Sequence, residues 1–463
     1  MRTKYIDLID QTFDFPQDEF NLADDRLLFH GIDLMRLAKE YGTPLKFNYL
    51  PQITHNIQRA KGWFREAMHN IGYQGNYHYS YCTKSSHFSF VLDEVMKNDV
   101  HIETSSAFDI DIVNNLYKNG KLKDGQYVIC NGFKPDRYIE NIANLINEDK
   151  LKVIPIVDNT KEVQDLLAKT DHDINIGIRI ASEEEPKFEF YTSRLGIRYR
   201  EIVPFYKAIL ESNKRVNVKM LHFFINTGIN DNAYYWNELT KCLRVYADLK
   251  KVCPSLDSLN IGGGFPIKKS LAFDYDYQYM VREILMQVKR VCTENDIPEP
   301  NIFTEFGSFT VGESGGAIFS VLHQKQQNDR EKWNMIDSSF MTNLPDTWAI
   351  NQRFIMLPLN RWNEDYERVL LGGLTCDSDD YYNSEQHSNA IYLPRFDRND
   401  TLYIGFFNTG AYQETVGGFG GLKHCLIPEP RHVLIRRDED GKISTSLFSE
   451  EQTADDFLKI LGY

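Results

Sequence analysis

Apolar and polar positions along the first two-thirds of the chain switch repeatedly between two periods. Short apolar runs with strand character fall near 77–83, 99–103, 126–130, 152–157, 174–180, 216–224, 257–261 and 299–304. Most gaps between them carry the helical period. Phe88, Val91, Leu92, Val95 and Met96 stand at i, i+3, i+4, i+7 and i+8 after Ser85-Ser86, which predicts a helix with a serine cap. Tyr138, Ile139, Ile142, Leu145 and Ile146 repeat the pattern two units later. Eight strand–helix units over roughly 260 residues predict a (β/α)8 TIM barrel, of the α/β class. A doubly wound parallel sheet is the alternative, because periodicity does not reveal closure.

The chain on either side reads differently. The stretch Ile32–Leu45 predicts a short amphipathic helix stopped by Gly42, with Pro44 opening an extended segment. From about 311 the runs Arg353–Leu357, Arg368–Leu371, Ala390–Leu393 and His432–Ile435 read as short strands between turn-rich segments. The expected organisation is a lead-in over 1–45 associated with a β domain, a barrel over 46–310, and a C-terminal β-barrel or β-sandwich domain over 311–463.

With 463 residues, 42% apolar and 25% charged, the chain has ample material for a core and exceeds one typical domain. A net charge of −14 argues against general nucleic-acid binding and suits a cationic substrate. No apolar run approaches the ~18–20 residues of a membrane span, so no membrane partner is expected. The segment Met1–Asp7 has no apolar signal region. The seven cysteines, at 82, 130, 242, 253, 292, 376 and 425, form no C-x-x-C pair. They read as reduced thiols of a cytoplasmic protein, without a disulfide frame or zinc site. Glu183-Glu184-Glu185 reads as a solvated loop.

Chemistry in a barrel gathers where the strands end. Those ends carry Lys84, Glu103-Thr104-Ser105, Asn131-Gly132, Asp158, Arg179, Asn226-Thr227-Gly228, Gly262-Gly263-Gly264 and Glu305-Phe306-Gly307. Singly each is weak: most lysines are solvated, and three glycines are more often a tight turn than a phosphate cradle. Together they supply a carbonyl-reactive amine, glycine turns suited to a phosphate, and a carboxylate. Pyridoxal phosphate needs these three things.

Lys84, the Gly262-Gly263-Gly264-Phe265-Pro266 turn and Thr375-Cys376-Asp377 resemble the fold-type III pyridoxal-phosphate decarboxylases. That family joins an alanine-racemase-like barrel to a C-terminal β domain. Within it the chain is most similar to the biosynthetic arginine decarboxylases. The similarity is carried by Ile129–Lys134, Leu344–Ile350, Thr375-Cys376-Asp377-Ser378-Asp379 and Gly410–Glu414, although the chain is much shorter than the bacterial enzymes and lacks their inserted helical region. The resemblance implies Lys84 as the Schiff-base lysine and Glu305 as partner of the pyridinium nitrogen. It places Thr227, Gly263, Gly264, Gly307 and Tyr412 around the phosphate. Cys376 would reprotonate the α-carbon, and Asp377, with Asp379, would bind the cationic end of a small basic amino acid. The Cys-Asp segment would enter the neighbouring subunit's barrel in a homodimer with shared active sites, a step of polyamine synthesis and arginine catabolism. A Mg2+ ion is compatible with such an enzyme but is not readable from the chain.

Three positions depart from the family pattern. His222-Phe223-Phe224 stands where a His-Phe-His strand is usual, leaving Phe224 to stack on the cofactor. Ser308 replaces an arginine near the phosphate. Asp337 falls where ornithine-type enzymes carry a substrate-binding aspartate. Decarboxylation of ornithine, lysine, diaminopimelate or carboxynorspermidine therefore remains an alternative to arginine. So does a catalytically silent homologue that binds the cofactor or a partner.

Overall fold

The computed structural model describes residues 16–183, 193–385 and 390–463. Two compact units emerge. One comprises 54–266 and 275–310, and the other takes the chain up to 53, 267–274 and 311–463.

The first unit is a barrel of strands β1 Tyr77–Cys82, β2 His101–Thr104, β3 Tyr127–Cys130, β4 Lys152–Val157, β5 Ile174–Ala181, β6 Val216–His222, β7 Ser258–Asn260 and β8 Asn301–Phe306. Each pairs in parallel with the next. β8 returns to β1 with Glu305 opposite Ser80 and Phe306 opposite Tyr81. The sheet is closed, so the barrel stands and the doubly wound alternative falls. Ile129, Ile154, Ile156, Met220 and Phe303 form a buried cluster on its strands. His78 stacks on Phe303 at 4.4 Å.

The helical periodicity holds, with one difference. The helix Ser89–Met96 buries Phe90, Val91, Leu92, Val95 and Met96, but Ser85-Ser86 does not cap it. A single tight turn, Thr83–Ser85, follows β1, and the Ser85 hydroxyl donates back to the Cys82 carbonyl at 2.8 Å. Both serines are buried, and the Ser86 carbonyl accepts from the Tyr81 hydroxyl at 2.8 Å. The helix begins after Phe88, which offers no side-chain cap. β6 likewise stops at His222, two residues short of the expected end. There the chain turns, and the Phe223 N–H bonds to the Asn260 carbonyl at 2.8 Å. Of the Glu183–Glu185 reading, positions 184 and 185 lie outside the described residues. Glu183 pairs with Lys241.

In the second unit the helix Leu34–Tyr41 starts on Asp33, whose carboxylate accepts from two backbone N–H groups, and ends at Gly42 with φ of 80°. The strand Leu45–Tyr49 then pairs with Gly315–Gln326 and Arg431–Arg437. The chain up to 53 thus belongs with the β unit, beyond the boundary expected at 45. The four apolar runs beyond 311 form the strands Ile355–Pro358, Tyr366–Gly372, Ile391–Pro394 and Arg431–Arg437. Two buried clusters, one around Phe29, Phe47 and Phe407 and one around Phe319, Phe340 and Phe406, fill the unit. No described helix is long and apolar enough to cross a membrane.

Phe303→Ala should leave a cavity in the barrel and cost about 3–5 kcal/mol. Urea unfolding of the purified chain measures it. A loss below about 1 kcal/mol would show that the barrel does not depend on that ring.

Candidate functional site

Glu305 lies on β8, near the carboxyl ends of the barrel strands, and three donors converge on it. His222 Nε2 and Asn131 Nδ2 reach Oε2 at 3.1 and 2.9 Å, and Asn260 Nδ2 reaches Oε1 at 2.7 Å. The donors come from the ends of β6 and β7 and the residue after β3, so only barrel closure assembles them. Burial opposes ionisation of Glu305. The His222 interaction and the two amides override it and hold the carboxyl well below its usual range. Three donors leave one of a carboxylate's roughly four acceptor sites for another partner.

A second carboxylate, Glu103 at β2, is fully buried. It accepts from Cys82 Sγ at 2.7 Å and from the same Asn131 amide at 2.9 Å. Burial raises its pKa, Glu305 adds to the rise, and Lys84 opposes it. The Lys84 charge is therefore felt at this rim. Lys84 sits in the turn after β1 and is exposed.

The glycines close around the same carboxylate. A Cβ on Gly263 would lie 2.2 Å from the Glu305 carbonyl oxygen, and one on Gly264 would lie 2.7 Å from Gly228 Cα. Gly262 (φ +69°) packs against Phe224, and Gly307 against Ser85 and Cys82. Ile229 N–H donates to the Gly264 carbonyl and Glu305 N–H to that of Gly262. Backbones approach here too closely for any side chain. Lys84, Phe224, Thr227, Gly263, Gly264, Glu305 and Gly307 thus share one rim. The Arg179 guanidinium adds a cation, 5.7 Å from the centre of the Phe224 ring.

Several buried polar atoms at this rim have no hydrogen-bond partner among the described residues: Asn131 Oδ1, Arg179 Nε, His222 Nδ1 and Thr227 Oγ1. Orphaned groups are costly unless a ligand or water satisfies them. An anion held by Thr227 and the glycine turns, and a ring nitrogen at the last acceptor site of Glu305, fit this set. The rim therefore suits pyridoxal phosphate.

The remaining expected residues lie in the β unit. Cys376, Asp377 and Asp379 share one loop, which Asp380 braces. Its Oδ1 accepts from the N–H groups of Phe340 and Met341, and its Oδ2 from the N–H and hydroxyl of Thr375. Asp379 N–H caps Asp377 Oδ1 at 2.9 Å. Cys376 is exposed, with Sγ 3.5 Å from Cys425 Sγ. That contact raises its pKa. Tyr412 adopts φ of 70°, strained for a bulky residue. It is fixed by Gly410 N–H on the Gly312 carbonyl and by Gln413, whose amide reaches Asp346 at 2.8 Å. The motifs at 344–350 and 410–414 thus lock together.

Asp337, expected as a substrate-binding aspartate, is tied into the β unit. Its carboxylate accepts from Ser320 N–H at 3.0 Å, Ser320 Oγ at 2.6 Å and Thr43 Oγ1 at 2.6 Å. Burial raises its pKa against these bonds. These contacts make it a brace of the β unit.

The sequence reading gave His222 no role of its own and passed over Asn260 and Asp380. Asn260 had a local signal. It stands two residues before Gly262, whose N–H it accepts at 2.8 Å while donating to Glu305.

The pyridoxal-dependent decarboxylase family's pyridoxal-binding domain matches residues 55–312, more than half of the chain. The biosynthetic arginine decarboxylase of Prochlorococcus marinus (strain MIT 9515) is 22% identical, over 93% of this chain and 85% of its own length. Among solved structures, the Campylobacter jejuni biosynthetic arginine decarboxylase superposes with a TM-score of 0.80 at 20% identity, covering 96% of this chain and 89% of that one. The diaminopimelate decarboxylase of M. jannaschii in complex with L-lysine gives 0.77 at 20% identity, covering 95% and 97%. At such identities these two structures speak for the fold. With the family match, an ionised Glu305 and a glycine-lined rim behind Lys84, the chain belongs to the pyridoxal-dependent decarboxylases and uses pyridoxal phosphate as its cofactor.

Proposed function

We propose that the protein decarboxylates L-arginine to agmatine and CO2, a step toward polyamines, as a cytoplasmic homodimer with shared active sites. The observation that carries the chemistry is Glu305, kept ionised by His222, Asn131 and Asn260 at the rim that also holds Lys84 and the glycine turns. Pyridoxal phosphate, when bound, supplies a sink for the electron pair left as CO2 departs. Lys84 would hold the cofactor's carbonyl carbon, and Glu305 would keep a proton on the ring nitrogen. Thr227, the backbones of Gly263, Gly264 and Gly307, and Tyr412 would hold the phosphate. Phe224 packs on the ring.

Cys376 of the partner subunit returns the proton to the α-carbon from Sγ. An ordinary thiol is mainly protonated near neutral pH, as this role requires. Asp377, flanked by Asp379, receives the guanidinium, whose planar fork suits a carboxylate better than an ammonium does. The choice of arginine is supported by relatives of that name matching over nine-tenths of the chain, and by Asp337 being engaged elsewhere. All seven cysteines are free thiols, which fits a reducing compartment.

Glu305→Gln swaps an acceptor oxygen for an amide that faces hydrogen-bond donors and cannot hold the ring proton. Turnover should fall by orders of magnitude while some cofactor stays bound. Near-normal kcat in the folded variant would reassign the residue's role.

Lys84→Ala should abolish CO2 release and the borohydride-trappable attachment of the cofactor. Mixing it with inactive Cys376→Ala chains should restore activity at about a quarter of the sites, by the geometry of a two-fold interface. No recovery after verified subunit exchange would show that each site is built within one chain.

In a substrate panel, kcat/KM should be highest for arginine. Asp377→Asn should lose about 2–4 kcal/mol of transition-state stabilisation with arginine, as the cation loses its charged partner. Preference for ornithine, lysine, diaminopimelate or carboxynorspermidine would overturn the substrate while leaving the decarboxylation intact.

A further inference from the structure

Five of the seven cysteines are buried. The two exposed ones, Cys376 and Cys425, lie together although 49 residues separate them. His424 joins them: one ligand atom from each of Cys376, His424 and Cys425 falls within 4.8 Å of the other two. Two thiolates on a tetrahedral zinc ion, with Zn–S of about 2.3 Å, stand about 3.8 Å apart. The sulfurs here are already 3.5 Å apart. Reaching a common ion therefore takes only small side-chain movement.

The backbone presents the group. Cys425 and Leu426 both have positive φ, 55° and 51°, in the turn His424–Leu426. Next to that turn, Lys423 is buried and pairs with Glu429 at 2.5 Å, and Glu429 also binds Lys46 at 2.9 Å. On the other side, Asp380 braces the Cys376 loop. Asp377 stands 3.7 Å from His424 Nε2, beside the coordination position that three ligands leave open. Two sulfurs and an imidazole are soft to borderline donors, which select zinc-like ions over magnesium or calcium.

We propose that Cys376, His424 and Cys425 form a binding site for a thiophilic divalent cation such as Zn2+, and that occupancy switches the enzyme off. Binding displaces the thiol protons to solvent as the Sγ atoms coordinate the metal, with no oxidation or reduction. The consequence for turnover rests on Cys376 being the proton donor: coordinated through Sγ, it has no proton to give the α-carbon. The site itself does not depend on that role.

The test uses the full-length, cofactor-loaded enzyme, reduced and freed of metal by chelation. Cd2+ serves as the spectroscopic probe and Zn2+ as the inhibitor. Cd2+ titration should saturate at one ion per chain, with an ultraviolet thiolate-to-metal band. Cys425→Ser and His424→Ala should each weaken binding at least tenfold. Zn2+ should abolish turnover of the unmodified enzyme, reversibly on adding chelator. Cys425→Ser, referred to its own metal-free turnover, should lose most of this sensitivity.

Absence of the band, or a band unchanged in both variants, would overturn the site. Intact-mass measurement showing a Cys376–Cys425 disulfide in place of bound metal would also overturn it. Should Cd2+ bind as described while Zn2+ leaves turnover untouched, the site stands and Cys376 loses its assignment as proton donor.

Discussion

The buried negative charge of Glu305 is the constraint around which the barrel rim is arranged. An isolated carboxylate taken out of water neutralises unless donors replace its hydration. Asn131, His222 and Asn260 do so from the carboxyl ends of three strands. None of them is within 40 residues of Glu305 in sequence, and the Asn131 contact spans 174. A buried carboxylate can therefore stay ionised here only because the barrel is closed.

The same carboxylate shapes the backbone next to it. Asn260 accepts from Gly262 N–H with one end of its amide and donates to Glu305 with the other. The turn that follows is thereby tied to the charge. Gly263 then passes so close to the Glu305 carbonyl that no Cβ fits. The glycines serve close approach as much as conformational freedom, and the glycine turn and Glu305 form one packed piece. Asn131 extends the network to Glu103. Two carboxylates thus share one amide in opposite ionisation tendencies, one held down by donors and one raised by burial.

Features that depend on local order were legible in the sequence. The eight strands, the helix periods, Lys84 after β1 and the glycine turns follow from patterns spanning a few residues. Features set by distant neighbours were not. His222 looked like any strand histidine until β8 stood across the barrel from it. Ser85-Ser86 carried a capping signal, but burial at the strand end turned those hydroxyls inward. Asp337 matched a motif position, and only the fold shows Ser320 and Thr43 on its carboxylate. The Cys376–Cys425 pair lay 49 residues apart with no spacing rule to connect it. An odd, scattered cysteine count argued against a metal site, while tertiary structure brings two of those sulfurs and a histidine together.

The Cys376 loop shows how a short motif can be mostly scaffold. Of Gly373 to Asp380, the residue that fixes the geometry is Asp380, the last of the run. Its two oxygens take four donors, from Thr375 at the start of the loop and from the helix Phe340–Asn343. Gly373 must lack a Cβ because the Asp380 carboxylate occupies that space, 2.2 Å away. The loop is pinned at both ends, and the residues between the pins are presented outward. Asp380 therefore sets where Cys376 and Asp377 stand without itself belonging to the run, Thr375 to Asp379, on which the resemblance was read.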